Sequence, residues 1–182
     1  MKIVQYSEFQ LPQGVFLCYD DLNDDPKQAE YLLSNLSGAA GLDDHILKVF
    51  KEESGKPYGR IDGRKVGISV THTRQFICCG LYLHGEIGID MESRERKAAT
   101  GLRKRITHQN ELSLVADVET IRIWTIKEAV LKLTGTGLRT AMKKVEIREN
   151  KNNYFKVTAC GVDMAVLSIE IDTFWLSIAY LS

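Results

Sequence analysis

Twice along this chain a helical pattern gives way to a run of closely spaced strand patterns, and that order narrows the folds open to it more than any other feature. "IVQY" and "GVFLCYD" are short apolar strands, and an acid- and proline-rich loop, "DDLNDDP", follows them. Helical periodicity runs from Lys27 to about Ala40 and again from Asp43 to about Phe50, and "SGKPYGRIDGRK" has the composition of a loop. Strands are then expected over Gly67 to His72, Phe76 to Leu83 and Glu86 to Glu92 as an antiparallel meander. The cycle repeats with a helical stretch, "RKAATGLRKRITHQNELSLVAD", and a longer helix through "WTIKEAVLK". Strands near Lys143 to Arg148, Tyr154 to Ala159, Leu167 to Ile171 and Trp175 to Leu181 close it. The fold class is therefore α+β, as two similar halves covering residues 1–92 and 93–182.

With 24 basic and 24 acidic residues the chain carries no formal net charge, which removes any global attraction to nucleic acid or to a membrane surface. No apolar run approaches membrane-spanning length, and "MKIVQYSEFQ" lacks a signal-peptide pattern. The adjacent Cys78 and Cys79 lie in the apolar run "FICCGLYL", where reduced buried thiols fit better than a disulfide or zinc framework. A cytoplasmic location follows as the expectation.

Chemistry concentrates in two stretches. In "WTIKEAVLK", Ile126, Ala129, Val130 and Leu133 make one apolar stripe, while Trp124, Glu128 and Lys132 recur every four residues on another face. A solvated Glu-Lys pair is worth only about 0.3–0.5 kcal/mol. Trp124 and Leu131 beside it indicate a covered face, however, and a covered carboxylate needs a partner. "EIGIDMES" supplies one: in a strand Asp90 and Glu92 project from the same face, where they repel unless a cation neutralises them. With Glu128 as a third oxygen donor and no Cys or His beside them, Mg²⁺ is favoured, with Mn²⁺ as the alternative.

Other candidates are weaker singly. Lys56 lies in the Gly-rich "GKPYG", and "GISVTHT" carries Ser69, Thr71 and His72 along one strand. "GTGTGL" is a helix stop and not a nucleotide loop, because no strand precedes it. Six basic residues stand against one acid between Arg94 and Arg105. The plain reading is a solvated surface, and because no aromatic residues interleave these charges, nucleic-acid binding is a weak rival.

Taken in order and spacing, "GKPYG", "ISVTHT", "GIDMES" and "WTIKEAVLKLTGTGL" resemble the 4′-phosphopantetheinyl transferases, in particular the Sfp-like group, over Gly55 to Leu138. The resemblance implies two similar α+β halves with the active site between them, in a chain for which a monomer suffices. It implies transfer of the phosphopantetheine arm of coenzyme A to a serine of an acyl- or peptidyl-carrier protein. By position Asp90, Glu92 and Glu128 match the family's Mg²⁺ ligands, and Lys132 matches the lysine that contacts the pyrophosphate. Lys56, Ser69 or Thr71, and His72 fall where the family binds coenzyme A phosphates. Glu128 and Glu111 are the two candidates for the base, although Thr107 and Glu111 are spaced one residue wider than the family pattern. The basic run Arg94 to Arg105 would steer an acidic carrier. The family's N-terminal basic residues are thinned here, with Glu30 near one of their places, which leaves a non-catalytic coenzyme A or carrier-binding relative as the alternative.

Overall fold

A computed structural model of the chain describes residues 1–4, 11–42 and 47–181. They form two compact units, Met1–Ile87 and Gly88–Ser182.

In the first unit six strands lie in the order β1-β2-β6-β5-β4-β3. These are β1 (Lys2–Val4), β2 (Val15–Asp21), β3 (Lys48–Lys51), β4 (Pro57–Ile61), β5 (Arg64–His72) and β6 (Phe76–Tyr82). Helix α1 (Gln28–Ala39) packs on β2 and β6. Its Leu32, Leu33 and Leu36, spaced along one side, meet Cys18, Ile68, Cys79 and Leu81 from the sheet.

Two expectations fail in this unit. The proposed helix to Phe50 is instead strand β3 over Lys48–Lys51, paired with β4; its beginning, residues 43–46, lies outside the described residues. The supposed loop "SGKPYGRIDGRK" contains β4 and the start of β5, joined at Asp62 and Gly63. Both of those residues have positive φ, 48° and 79°, as a tight hairpin turn demands. An Asp-Gly pair is the usual sequence for that turn, so the hairpin was already written in the chain.

The second unit holds a five-stranded sheet in the order β7-β11-β10-β9-β8. Its strands are β7 (Ile87–Ser93), β8 (Glu146–Lys151), β9 (Tyr154–Ala159), β10 (Val162–Ile171) and β11 (Phe174–Tyr180). The expected meander therefore holds for β5 and β6 only, because β7 leaves that series and lies beside β11. This also moves the division of the chain from after Glu92 to after Ile87, so Asp90 and Glu92 belong to the second unit. The helical stretch "RKAATGLRKRITHQNELSLVAD" reduces to α2 (Leu102–Ile106) and a 3₁₀ turn at Gln109–Glu111.

Helix α3 (Thr120–Leu133) lies on β10 and β11. Ile123, Ile126 and Val130 pack with Phe155, Val157, Val166 and Ala179 in one apolar cluster. A buried polar chain pins the helix to the sheet: Thr125 Oγ1 lies 2.9 Å from Ser177 Oγ, which donates at 3.1 Å to Ser168 Oγ, and Arg122 Nε donates to the same Ser168 oxygen at 3.1 Å. Nine of the helix's residues are buried, which leaves Thr120, Arg122, Trp124, Glu128 and Lys132 partly open. Four of these five recur every fourth residue and so form one stripe.

Strand β7 meets α3 at Gly88. A Cβ at this position would stand 2.1 Å from Ala129 O and 2.4 Å from Leu133 N, so backbone packs directly on backbone. Gly88→Ala has to push strand and helix apart; overpacking of this kind costs about 3 kcal/mol. The expected outcome is a melting temperature lower by roughly 6–12 °C, read by circular dichroism.

Candidate active site

Because side chains alternate along a strand, Asp90 and Glu92 share the face of β7 that carries Gly88. Gly88 lies against α3, and that contact brings the two carboxylates to the open stripe of the helix. Asp90 is buried and Glu92 half-buried. Lys132 Nζ donates to Asp90 Oδ1 at 2.8 Å, which ties the last turn of α3 to the strand. Glu92 pairs with Arg96, whose guanidinium lies over the Trp124 ring at 5.3 Å. Trp124 thus forms part of the cover over this face, with Arg96 stacked on it.

Glu128 lies one helical turn from both Trp124 and Lys132. Burial, and then the charge of Asp90, push its carboxyl up to about 7, against the pull of Lys132; Glu92 raises it further. Glu92 is itself raised by burial and by Asp90, while Arg96 opposes the shift. Asp90 and Glu92 thus make ionisation of Glu128 harder, as expected where a carboxylate face carries less positive charge than it can accept. Among the described residues no three Asp, Glu, His or Cys side chains stand together as a ready metal cage. The donor set nevertheless fits a hard divalent cation: three carboxylates without sulfur or imidazole, two already in cation pairs and the third under electrostatic pressure.

Glu111 is not part of this face. Its side chain is fully buried, and Lys127 Nζ donates to Oε1 at 2.5 Å. The same oxygen accepts the His108 amide at 2.8 Å, and Oε2 accepts the Ile147 amide at 2.7 Å. A carboxylate enclosed by an ammonium and two backbone amides cannot meet an incoming hydroxyl, so the expectation of Glu111 as a base is corrected to an anchoring one. Lys127, which sequence reasoning left without a role, is the other half of that anchor. The signal available in the chain was its place on the buried side of α3, one residue from Glu128.

The expected phosphate contacts lie in the first unit and do not share one face. Ser69 and Thr71 are buried on one side of β5, while His72 is exposed at the strand's end. Lys56 Nζ donates to Glu86 Oε2 at 2.6 Å. Lys65 bridges Glu86 and Glu52, each at 2.7 Å. Lys56 is therefore held by a carboxylate, which a phosphate would have to join or displace.

The basic run is less available than its charge suggests. Arg94 pairs with Glu119 and Glu170, Arg96 with Glu92, and Arg103 donates to the Val115, Ala116 and Val118 carbonyls. Lys97, Lys104 and Arg105 remain exposed, and Lys104 borders a cleft of about 380 Å³ with His108, Leu112 and Lys143.

A family model described as the 4′-phosphopantetheinyl transferase superfamily matches residues 86–178, which span β7, α3 and the sheet beneath them. The chain belongs to that superfamily. The α+β architecture with two antiparallel sheets agrees with this membership. A curated relative is "4′-phosphopantetheinyl transferase HetI" of Nostoc sp. (strain PCC 7120 / SAG 25.82 / UTEX 2576), 29% identical over 126 residues. That match covers 64% of this chain and 53% of HetI, so the chain spans about half the length of the curated relative it matches. No helix among the described residues of this superfamily member is long and apolar enough to cross a membrane. Three of its cysteines, Cys18, Cys78 and Cys79, are buried thiols, and Cys160 is exposed.

The electrostatics of the carboxylate face lead to a direct test. Glu128→Gln removes the charge that Asp90 and Glu92 oppose, so at pH 8 in excess chelator the variant should melt above the wild type in differential scanning calorimetry. A lower melting temperature would show that Glu128 is stabilised where it stands.

Proposed function

We propose that this chain transfers the 4′-phosphopantetheine arm of coenzyme A to a serine of an acyl- or peptidyl-carrier protein, with a divalent cation, Mg²⁺ or Mn²⁺, as cofactor. What supports the proposal is the Lys132–Asp90 ion pair together with the charge coupling of Glu128 to Asp90, Glu92 and Lys132 within the matched region. Asp90, Glu92 and Glu128 would hold the cation, which when bound supplies a Lewis acid that neutralises charge on the pyrophosphate.

In the reaction the serine oxygen bonds to the β-phosphorus of coenzyme A as the bridging P–O bond breaks and adenosine 3′,5′-bisphosphate departs. Glu128, half-buried beside both the acids and Lys132, accepts the serine proton. Lys132 reaches this face from the last turn of α3, where its ammonium binds a pyrophosphate oxygen and offsets charge that grows during transfer. Lys56, Ser69, Thr71 and His72 bind the remaining phosphates, with Lys56 exchanging Glu86 for a phosphate oxygen. Lys97, Lys104 and Arg105 steer the acidic carrier, because the other basic residues of that run are committed to internal partners. The chain acts as a cytoplasmic monomer.

Incubated with coenzyme A, Mg²⁺ and a panel of apo acyl- and peptidyl-carrier proteins, the protein should add the phosphopantetheine mass to at least one carrier. Chelator should stop the reaction, Glu128→Gln should abolish it, and Lys132→Ala should slow it by roughly 10²–10³-fold. Coenzyme A or carrier binding without any mass gain would favour a non-catalytic relative, and hydrolysis of coenzyme A without an acceptor would favour a phosphodiesterase.

A further inference from the structure

Lys127 is buried to 0% exposure, one residue before Glu128 in the helix that carries the carboxylate face. Its ammonium donates to Glu111 Oε1 at 2.5 Å, Val145 O at 2.6 Å and Ile106 O at 2.8 Å, with Met142 O at 3.4 Å. Through Glu111 the same cluster takes in the His108 and Ile147 amides. Six points on two other segments, 106–111 and 142–147, are thereby tied to one position of α3.

Stability alone gives little reason for such an arrangement. A buried ion pair contributes little net stability, because desolvation of both charges offsets their attraction, and an apolar pair of similar volume often serves as well. Burial pulls Lys127 below its ordinary pKa, and Glu111 works against that pull. What the pair adds is direction. Apolar packing tolerates a small rotation of a helix, whereas three N–H donors aimed at three acceptors do not.

We propose that Lys127 and Glu111 are positioning residues, a buried strut that fixes the rotation of α3 and so holds Glu128 and Lys132 in register with Asp90 and Glu92. The magnitudes favour this. An α-helix with its side chains is about 10–12 Å across, so a rotation of roughly 20° moves a side-chain tip by about 2 Å. Misplacement by about 1 Å can lower a rate by as much as 10²-fold. The effect on catalysis rests on the transferase function proposed above; the orientation of α3 does not.

The test uses the whole chain with both charges removed at near-constant volume, Lys127→Met together with Glu111→Gln. In the carrier assay kcat should fall by roughly 10- to 100-fold. KM for coenzyme A should change by less than about threefold. The melting temperature should stay within about 5 °C of the wild type, since the charge pair is close to neutral for stability. Residual dipolar couplings of the α3 amides should show the helix reoriented. A double variant with wild-type kcat and unchanged α3 couplings overturns the proposal, whatever its melting temperature. If the wild type modifies no carrier, the transferase reading fails and α3 orientation alone decides: a rotated helix supports the strut and an unrotated one overturns it. Should the double variant not fold, Lys127→Arg keeps the charge but enlarges and displaces the head group. The same loss of kcat with native circular dichroism supports the proposal, and wild-type kcat overturns it.

Discussion

The close approach of β7 to α3 at Gly88 is the contact from which the rest of the site follows. With Ala129 O and Leu133 N where a side chain would begin, no other residue type lets strand and helix touch at this distance. Two residues further along the same face, Asp90 reaches Lys132, and two beyond that lies Glu92 with Arg96. The same helix residues that touch Gly88 flank Glu128 and Lys132 on α3, so one packing contact sets both sides of the carboxylate face.

Helix α3 is held by three different means. Apolar packing against β10 and β11 supplies most of the burial, but it specifies rotation poorly. The Thr125-Ser177-Ser168-Arg122 chain fixes the side toward the sheet, and Lys127 with Glu111 fixes the side toward segments 106–111 and 142–147. Polar atoms in a core are costly unless satisfied, and here each of these finds partners. The half-open stripe of Trp124, Glu128 and Lys132 is what these ties leave facing outward.

Much of this was legible from residue order. The period of four on α3 appears in its burial pattern, and "GIDMES" lies in a strand as expected, where side chains alternate by backbone geometry alone. Pairing between distant segments was not legible: nothing local in Glu86 to Glu92 says that β7 lies beside β11 and not β6. The burial of Glu111 and of Lys127 was not legible for a related reason. A titratable residue looks the same in sequence whether it faces solvent or a cage of carbonyls, and only tertiary packing distinguishes the two. The hairpin of β4 and β5 is signalled by Asp62-Gly63, whereas glycine content alone indicates only a loop.

Asp90, Glu92 and Glu128 acting together on one divalent ion is the claim on which the functional account stands. Anomalous diffraction from a crystal grown with Mn²⁺ and coenzyme A measures it most directly. The account predicts a manganese peak bonded to carboxylate oxygens of all three residues, with Lys132 turned from Asp90 to the pyrophosphate. A manganese bound elsewhere on the chain, or coenzyme A held with its pyrophosphate away from α3, would contradict it.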